Sequence, residues 1–326
     1  MQPSSILVTG GAGFIGANLV RTLAAMQTNT IHVLIHPTEN TWRLNGLERD
    51  IITHAIDLTD YEAIHTLITT IRPSVIYHLA SFGGMPNEKN QKTIFDVNLH
   101  GTINLINACK EVGFDCFINT GSSSEYGLKQ EPLHERMVLE PVSDYAVAKA
   151  AATQFCLKEA LSNKLPIYTV RPFSVYGDYE APTRLIPTVL MNAIKKVPIA
   201  LSAPHYVRDF MYIKDMVSLL ITLAEQKPLG EYIFNAGTGV QSRIENVVEI
   251  TKEMVQHSLS IHWGSSEPRP WEPTHWSANM MLTHRVLGWK AQYSLTQGLE
   301  ASLAWFTGQE EVHTRTLKQS EFTPGQ

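Results

Sequence analysis

Cysteine is scarce and charge is thin in this 326-residue chain. Only Cys109, Cys116 and Cys156 are present, with no CxxC spacing. An odd, unpaired set excludes a disulfide framework and a thiolate metal knot, and suits buried apolar thiols in a reducing compartment. Lys and Arg number 26 against 31 Asp and Glu, a net charge of -5, and no basic run exceeds Lys195-Lys196. Such a chain has no polyanion-attracting face, which excludes nucleic acid as a partner. Long apolar runs are also missing: Val217 to Ala224 is broken by Ser and Thr, far short of the ~20 residues that span a bilayer. The opening MQPSSILVTG lacks a basic n-region and reads as a first strand, not a signal peptide. Thirteen histidines, His32, His36, His54 and His65 among them, form no HExxH or carboxylate-paired spacing, so no metal is expected. The expectation is a cytoplasmic protein with a small-molecule partner and no membrane contact.

What is present is an ordinary globular composition, 44% apolar. The length is about twice that of a ~150-residue domain. Short β-branched apolar runs near 5–9, 31–35, 51–55, 74–79, 115–120 and 166–171 alternate with helical patterns over 14–26, 61–71, 92–112 and 145–162. That rhythm predicts an α/β fold, a Rossmann-type doubly wound parallel sheet. After Gly177, prolines at 182, 187, 198 and 204 break the rhythm before a strand-like FMYI and a helix from Asp215. The predicted division is a dinucleotide-binding domain over 1–178, also receiving about 207–236. A smaller C-terminal substrate-binding lobe takes 179–206 and 237–310, and a polar tail covers 311–326.

The first strand runs into Thr9-Gly10-Gly11-Ala12-Gly13-Phe14-Ile15-Gly16 and then a helical pattern. In that setting Gly10 permits the turn, Gly13 admits a pyrophosphate to the backbone, and Gly16 lets the helix pack close. About twenty residues on, where an NAD site places an acid, stands His36, with Arg43 nearby. This pattern favours NADP, with NAD as the alternative. Asp57 is a candidate partner of the adenine amino group or, equally, a helix cap.

Of the eleven tyrosines, only Tyr145 is followed four residues later by a lysine, Lys149. The spacing puts both on one helix face, where an ammonium and an oxidised nicotinamide would bring a phenol of pKa near 10 toward working range. The fifth strand, CFINTG, ends in Ser122-Ser123-Ser124-Glu125-Tyr126-Gly127. Hydroxyls there stand at the carboxyl edge of the sheet, able to donate to a substrate oxygen or, in the plainer reading, to cap the next segment.

With TGGAGFIG at 9–16, HLAS at 78–81, VNLHGTINLINA at 97–108, SSSEYG at 122–127, YAVAK at 145–149, RPFSVYG at 171–177, RDFMYIKD at 208–215 and LGW at 287–289, the chain resembles the extended short-chain dehydrogenase/reductase family, in its nucleotide-sugar epimerase, dehydratase and reductase branch. The resemblance covers about residues 5–300. It implies a catalytic set of Ser122, Tyr145 and Lys149, with Lys149 also holding the nicotinamide ribose. It places Phe14, Ile15, Leu58, Leu79, Ala80, Ser81, Asn98 and Pro172 along the dinucleotide. Ser123, Ser124, Glu125, Ser174, Arg184, Arg208 and Arg269 fall on the nucleotide-sugar side, the arginines suiting a diphosphate; surface ion pairing is the alternative for Arg208 and Arg269. A homodimer through helices 92–112 and 145–162 follows from the same likeness, although those faces could equally be core.

Family dehydratases carry an acid two residues after the catalytic hydroxyl, where this chain has Ser124. That disfavours 4,6-dehydration. The Ser-x-x-Glu-Tyr-Gly form looks like reductases of 4-keto-6-deoxy nucleotide sugars, with a 4-epimerase as the alternative and a non-catalytic dinucleotide sensor or scaffold as the reading from another class. Ser174, where UDP-sugar relatives have asparagine, and Lys214, which replaces a common acid, leave the nucleotide unassigned.

Overall fold

The computed structural model of the protein describes residues 4–85, 88–226, 230–265 and 274–308. Seven parallel strands form the main sheet. They are β1 (Ser4–Thr9), β2 (Asn29–Ile35), β3 (Ile51–Ala55), β4 (Val75–His78), β5 (Cys116–Thr120), β6 (Ile167–Pro172) and, after four short strands, β11 (Ile233–Ala236). Their spatial order is β11-β6-β5-β4-β1-β2-β3. The order reverses between β1 and β4, and that switch point opens the crevice at the carboxyl ends of the strands. The first six strands match the apolar runs of the sequence. The seventh is four residues long, too short to carry a period.

Side chains alternate along β1: Ile6 and Val8 enter one core and Leu7 the other. Helices α1 (Phe14–Met26) and α7 (Ile213–Ala224) cover the first face. Leu19, Val20 and Leu23 of α1 are buried, each worth about 1.5–3 kcal/mol of transfer free energy. Helices α2 (Tyr61–Ile71), α4 (Gly101–Val112) and α5 (Asp144–Asn163) cover the second through Ile64, Leu105, Ile106, Cys109, Cys156 and Ala160. With both faces covered, β5 is buried at every position, as a central parallel strand must be. The three thiols are free and buried, and burial pushes each up to about 12. The inward faces of α4 and α5 are thus core, while Val147 and Leu161 of α5 remain exposed.

The single helix predicted over 92–112 is divided. A short α3 (Gln91–Phe95) passes through a π-helical turn at Asp96–His100 before α4 begins. The turn brings the Asn98 side chain inward, where its amide donates to Phe82 O and Ile94 O and its oxygen accepts from Phe82 N. Such one-turn bulges are common at functional sites.

The remaining elements are β7 (Ser174–Tyr176), α6 (Leu185–Lys195), β8 (Ile199–Leu201), β9 (Val207–Arg208), β10 (Phe210–Tyr212), β12 (Ser242–Arg243), α8 (Ile244–Val255), β13 (Ile261–Trp263), β14 (His275–Trp276), α9 (Met281–Leu287) and α10 (Leu295–Gly308). Helices α6, α8 and α10 pack together. Asp209, fully buried between β9 and β10, accepts from the backbone of Thr238, Gly239 and Ala278. It thereby pins two crossing segments to the small sheet β12-β9-β14. No described helix is long and apolar enough to cross a membrane.

At the β2-β3 edge, His32 Nδ1 and His54 Nε2 lie 2.9 Å apart with the rings stacked at 5.2 Å. One nitrogen must donate and the other accept, so the two rings cannot both be charged in this arrangement. Burial, and for His32 also its neighbour, lowers both below the usual 6.5. The unfolded chain therefore binds protons more readily, and stability is lost as pH falls below the unfolded value. The urea midpoint should decline between about pH 7.5 and about pH 5, and His54→Val should flatten that slope. An equal slope in the variant would contradict the assignment.

Candidate active site

The crevice begins at the glycine turn. Gly10 has φ +65°, and a Cβ there would stand 2.6 Å from the backbone of Ala80; one on Gly16 would stand 2.2 Å from Gly10 O. Both positions admit only glycine. Gly13 is the N-cap of α1 and contributes no side-chain capping bond, so the first-turn N–H groups face outward beside half-buried Phe14 and Ile15. A backbone cradle that a Cβ would fill, at a helix N-terminus, fits a dinucleotide pyrophosphate.

Behind the cradle, His78 at the end of β4 is 1% exposed. Burial, and next the positive charge of Lys149, lower it to about 3. The ring is neutral and spans Thr9 Oγ1 at 2.7 Å and Thr102 Oγ1 at 2.8 Å. Thr102 in turn donates to Asn98 O, and Ala80 N donates to Thr9 Oγ1. This chain ties β1, the Leu79-Ala80-Ser81 segment and the π turn into one frame. Asn98, expected along the dinucleotide, is 1% exposed, and its amide donates to Phe82 O and Ile94 O behind the cradle. The Leu58 side chain is core and its carbonyl accepts from Asn104.

At the adenosine end, exposed His36 lies 3.6 Å from Asp57. Asp57 accepts from Thr59 N, while Asp60 caps α2, so capping is not the Asp57 role. Arg43, expected to face a 2′-phosphate, is turned elsewhere: Nε donates to Tyr179 O at 2.8 Å and Nη1 reaches Ala12 O at 3.4 Å. Glu39 reaches back to His36 N at 3.4 Å. This carboxylate stands three residues beyond the position where an NAD site usually places its acid.

The fifth strand delivers Ser122 as N-cap of a 3-10 turn, Ser123–Tyr126, closed by a capping box with Glu125. Ser122 Oγ accepts from Ser124 N and lies 2.7 Å from Ser124 Oγ. Ser143 caps α5, which fixes Tyr145 in the first turn and Lys149, 3% exposed, one turn later. Burial raises the Tyr145 phenol to about 12; Arg184, and less strongly the Ser122 hydroxyl, oppose the rise. Burial lowers Lys149 to about 8, opposed by Glu125. In the protein without a dinucleotide, desolvation outweighs the cations around the phenol, of which Arg184 has the larger effect. That field also brings Arg184, exposed at the N-cap of α6, to the same site.

Two glycines and two acids outside the sequence motifs shape this corner. Gly83 and Gly84 pass over the Tyr145 ring, where added Cβ atoms would lie 3.4 and 4.0 Å from it. Glu88 holds that loop by accepting from Gly83 N at 2.8 Å and Met85 N at 3.0 Å. Glu180 is 6% exposed, is raised by burial to about 8, and has one carboxyl oxygen without a partner. An acid followed four residues later by Arg184 was the only signal for it.

On the substrate side, Ser174 is half-buried, its N–H bonded to Asp209 O. Arg208 is 7% exposed and lies over the Tyr206 and Trp276 rings at 5.5 and 5.9 Å. Pro172 ends β6 opposite Ala236. Ser123 is 6% exposed. Glu125, expected to meet substrate, is fully buried, and its oxygens accept from Ser122 N, Thr153 and Arg171. Arg269 and the 311–326 tail lie outside the described residues.

A glycine cradle at the switch-point crevice of a doubly wound parallel sheet is the architecture of a dinucleotide-binding fold. Residues 6–237 match the NAD dependent epimerase/dehydratase family model, and the chain belongs to that family of enzymes, within the extended short-chain dehydrogenases/reductases. The protein is 29% identical over 310 residues to a UDP-glucuronate 4-epimerase of Thermodesulfobacterium geofontis, covering 92% of this chain and 95% of the relative. It is 25% identical to a GDP-6-deoxy-D-mannose reductase of Pseudomonas aeruginosa, covering 92% and 96%. The structure of a UDP-glucuronic acid 4-epimerase from Bacillus cereus, in complex with UDP-glucuronic acid and NAD, superposes with a TM-score of 0.83 at 26% identity, covering 93% of this chain and 99% of that one.

The cradle yields a direct test. A Cβ on Gly13 meets only Gly10 O, at 3.1 Å, so Gly13→Val should keep the fold and project its methyls where the pyrophosphate lies. Calorimetry should show dinucleotide affinity reduced at least about tenfold with a nearly unchanged melting temperature. Undiminished affinity would refute the cradle assignment.

Proposed function

We propose that the protein reduces a 4-keto-6-deoxyhexose, carried on a nucleotide diphosphate, at C4. The observation that carries this reading is the composition of the β5 turn. Ser122, Tyr145 and Lys149 supply one hydrogen-bond donor, one proton and one cation beside the cradle. Position 124, meanwhile, offers only a hydroxyl, and the turn's single acid is buried. That equipment suits exchange between a carbonyl and an alcohol, and it lacks the turn acid that dehydration would use. The nicotinamide, when bound, supplies the hydride. Ser122 donates to the keto oxygen, Tyr145 gives its proton to the developing alkoxide, and Lys149 holds the nicotinamide ribose and supports the phenolate left behind. Arg184 and Arg208 are the cations available to the diphosphate.

A 4-epimerase is the second reading, because its two half-reactions use the same three groups and because a relative of that activity covers nearly the whole chain. As for the dinucleotide, Glu39 would repel a 2′-phosphate and Arg43 is bonded to carbonyls. We therefore infer a preference for NAD(H), reversing the expectation drawn from His36.

Incubation with a panel of nucleotide 4-keto sugars should consume NADH stoichiometrically. Interconversion of C4 epimers without net cofactor change would instead establish the epimerase. Tyr145→Phe should lower turnover by ~10² or more and leave dinucleotide binding intact; near-normal turnover would remove the tyrosine from the chemistry. NADH should bind more tightly than NADPH, and the opposite order would overturn the reading of Glu39 and Arg43.

A further inference from the structure

We infer that Glu125 is a positioning residue: its buried carboxylate holds the Ser122 turn from behind and, paired with Arg171, sets the charge balance beneath Tyr145 and Lys149. The inference rests on the proposed role of those three residues.

The geometry is specific. Glu125 Oε1 accepts from Ser122 N at 2.8 Å and Thr153 Oγ1 at 2.9 Å, and Oε2 accepts from Arg171 Nε at 2.8 Å. Glu125 and Arg171 are 0% and 1% exposed. A Cβ on Gly121 would stand 2.4 Å from Oε1, so a glycine is what lets the carboxylate pass under the turn. Bonding to Ser122 N fixes the backbone from which the reacting hydroxyl projects, and a misplaced group costs rate more than binding. A buried ion pair is weak evidence of stabilisation by itself, because desolvation offsets its attraction. Its placement one turn behind the reacting groups gives it a use that stability does not.

The charges around it are mixed: Lys149 and Cys156 face it from α5 and Arg171 from β6, Glu135 faces Arg171, Arg184 and Glu88 reach Tyr145 with opposite effect, and His78 faces Lys149; burial pushes Glu125 itself up and Arg171 opposes that. Glu125 favours the protonated form of both Lys149 and Tyr145. Ketone reduction needs the tyrosine protonated, so removing this negative charge should move the alkaline limb of turnover to lower pH.

The test uses Glu125→Gln, whose amide oxygen can still accept from Ser122 N. The double variant Glu125→Gln, Arg171→Gln leaves no unpaired buried charge if the single one folds poorly. The expected result for keto-sugar reduction is kcat lowered about tenfold with KM within about twofold. The alkaline limb should shift down by ~0.5–1 pH unit in the single variant, and in the same direction in the double. A purely structural role would reduce the folded fraction without moving that limb. An alkaline limb at the wild-type position in the folded variants would overturn the proposal. Tyr145→Phe, measured alongside, separates the two failures: full activity there defeats the site itself, whereas an inactive Tyr145→Phe with an unmoved limb defeats only the role of Glu125.

Discussion

The Glu125-Arg171 ion pair is the constraint on which the reacting corner depends. From Glu125, bonds run to the β5 turn and to Thr153 of α5, and Arg171 carries them into β6. The guanidinium stacks on Tyr126 at 4.6 Å, whose hydroxyl donates to Asn235 of β11. Asn235 then donates to Leu133 O and Asn279 O. One buried network thus joins three strands of the sheet, the helix that carries Tyr145 and Lys149, and the segments at Leu133 and Asn279. Losing either charge would strand the other in the interior, at a cost of several kcal/mol.

A second frame, independent of the first, sits on the other side of Lys149. His78, Thr9, Thr102 and Asn98 form a chain of neutral hydrogen bonds that aligns β4 with the glycine turn and the π turn. Between the two frames lie Lys149 and Tyr145, both shifted toward their neutral forms by burial.

The parts of this architecture that repeat along the chain were legible in the sequence. Six strands, the α1 cradle and the Tyr145-Lys149 face each follow from period or spacing, because each satisfies its geometry within a few consecutive residues. What escaped was set by contacts distant in sequence. The π turn exists because Asn98 reaches back to Phe82, and β11 is a strand because β6 has a free edge. Glu125 looked like a site residue by its place in SSSEYG, yet Arg171, forty-six residues on, turns it inward. Arg43 was similarly claimed by Tyr179. The burial that raises the phenol is a property of the packed chain and not of the i, i+4 pair.

The central claim is that this corner passes a hydride to C4 while Tyr145 delivers the proton. The direct measurement is label tracing: NADH deuterated at the transferable position, a nucleotide 4-keto-6-deoxy sugar, and proton NMR of the product. The account predicts deuterium at sugar C4 in wild-type enzyme and about a hundredfold slower appearance of that label with Tyr145→Phe. Reduced sugar without deuterium at C4, or label arriving at an undiminished rate in the variant, would contradict it.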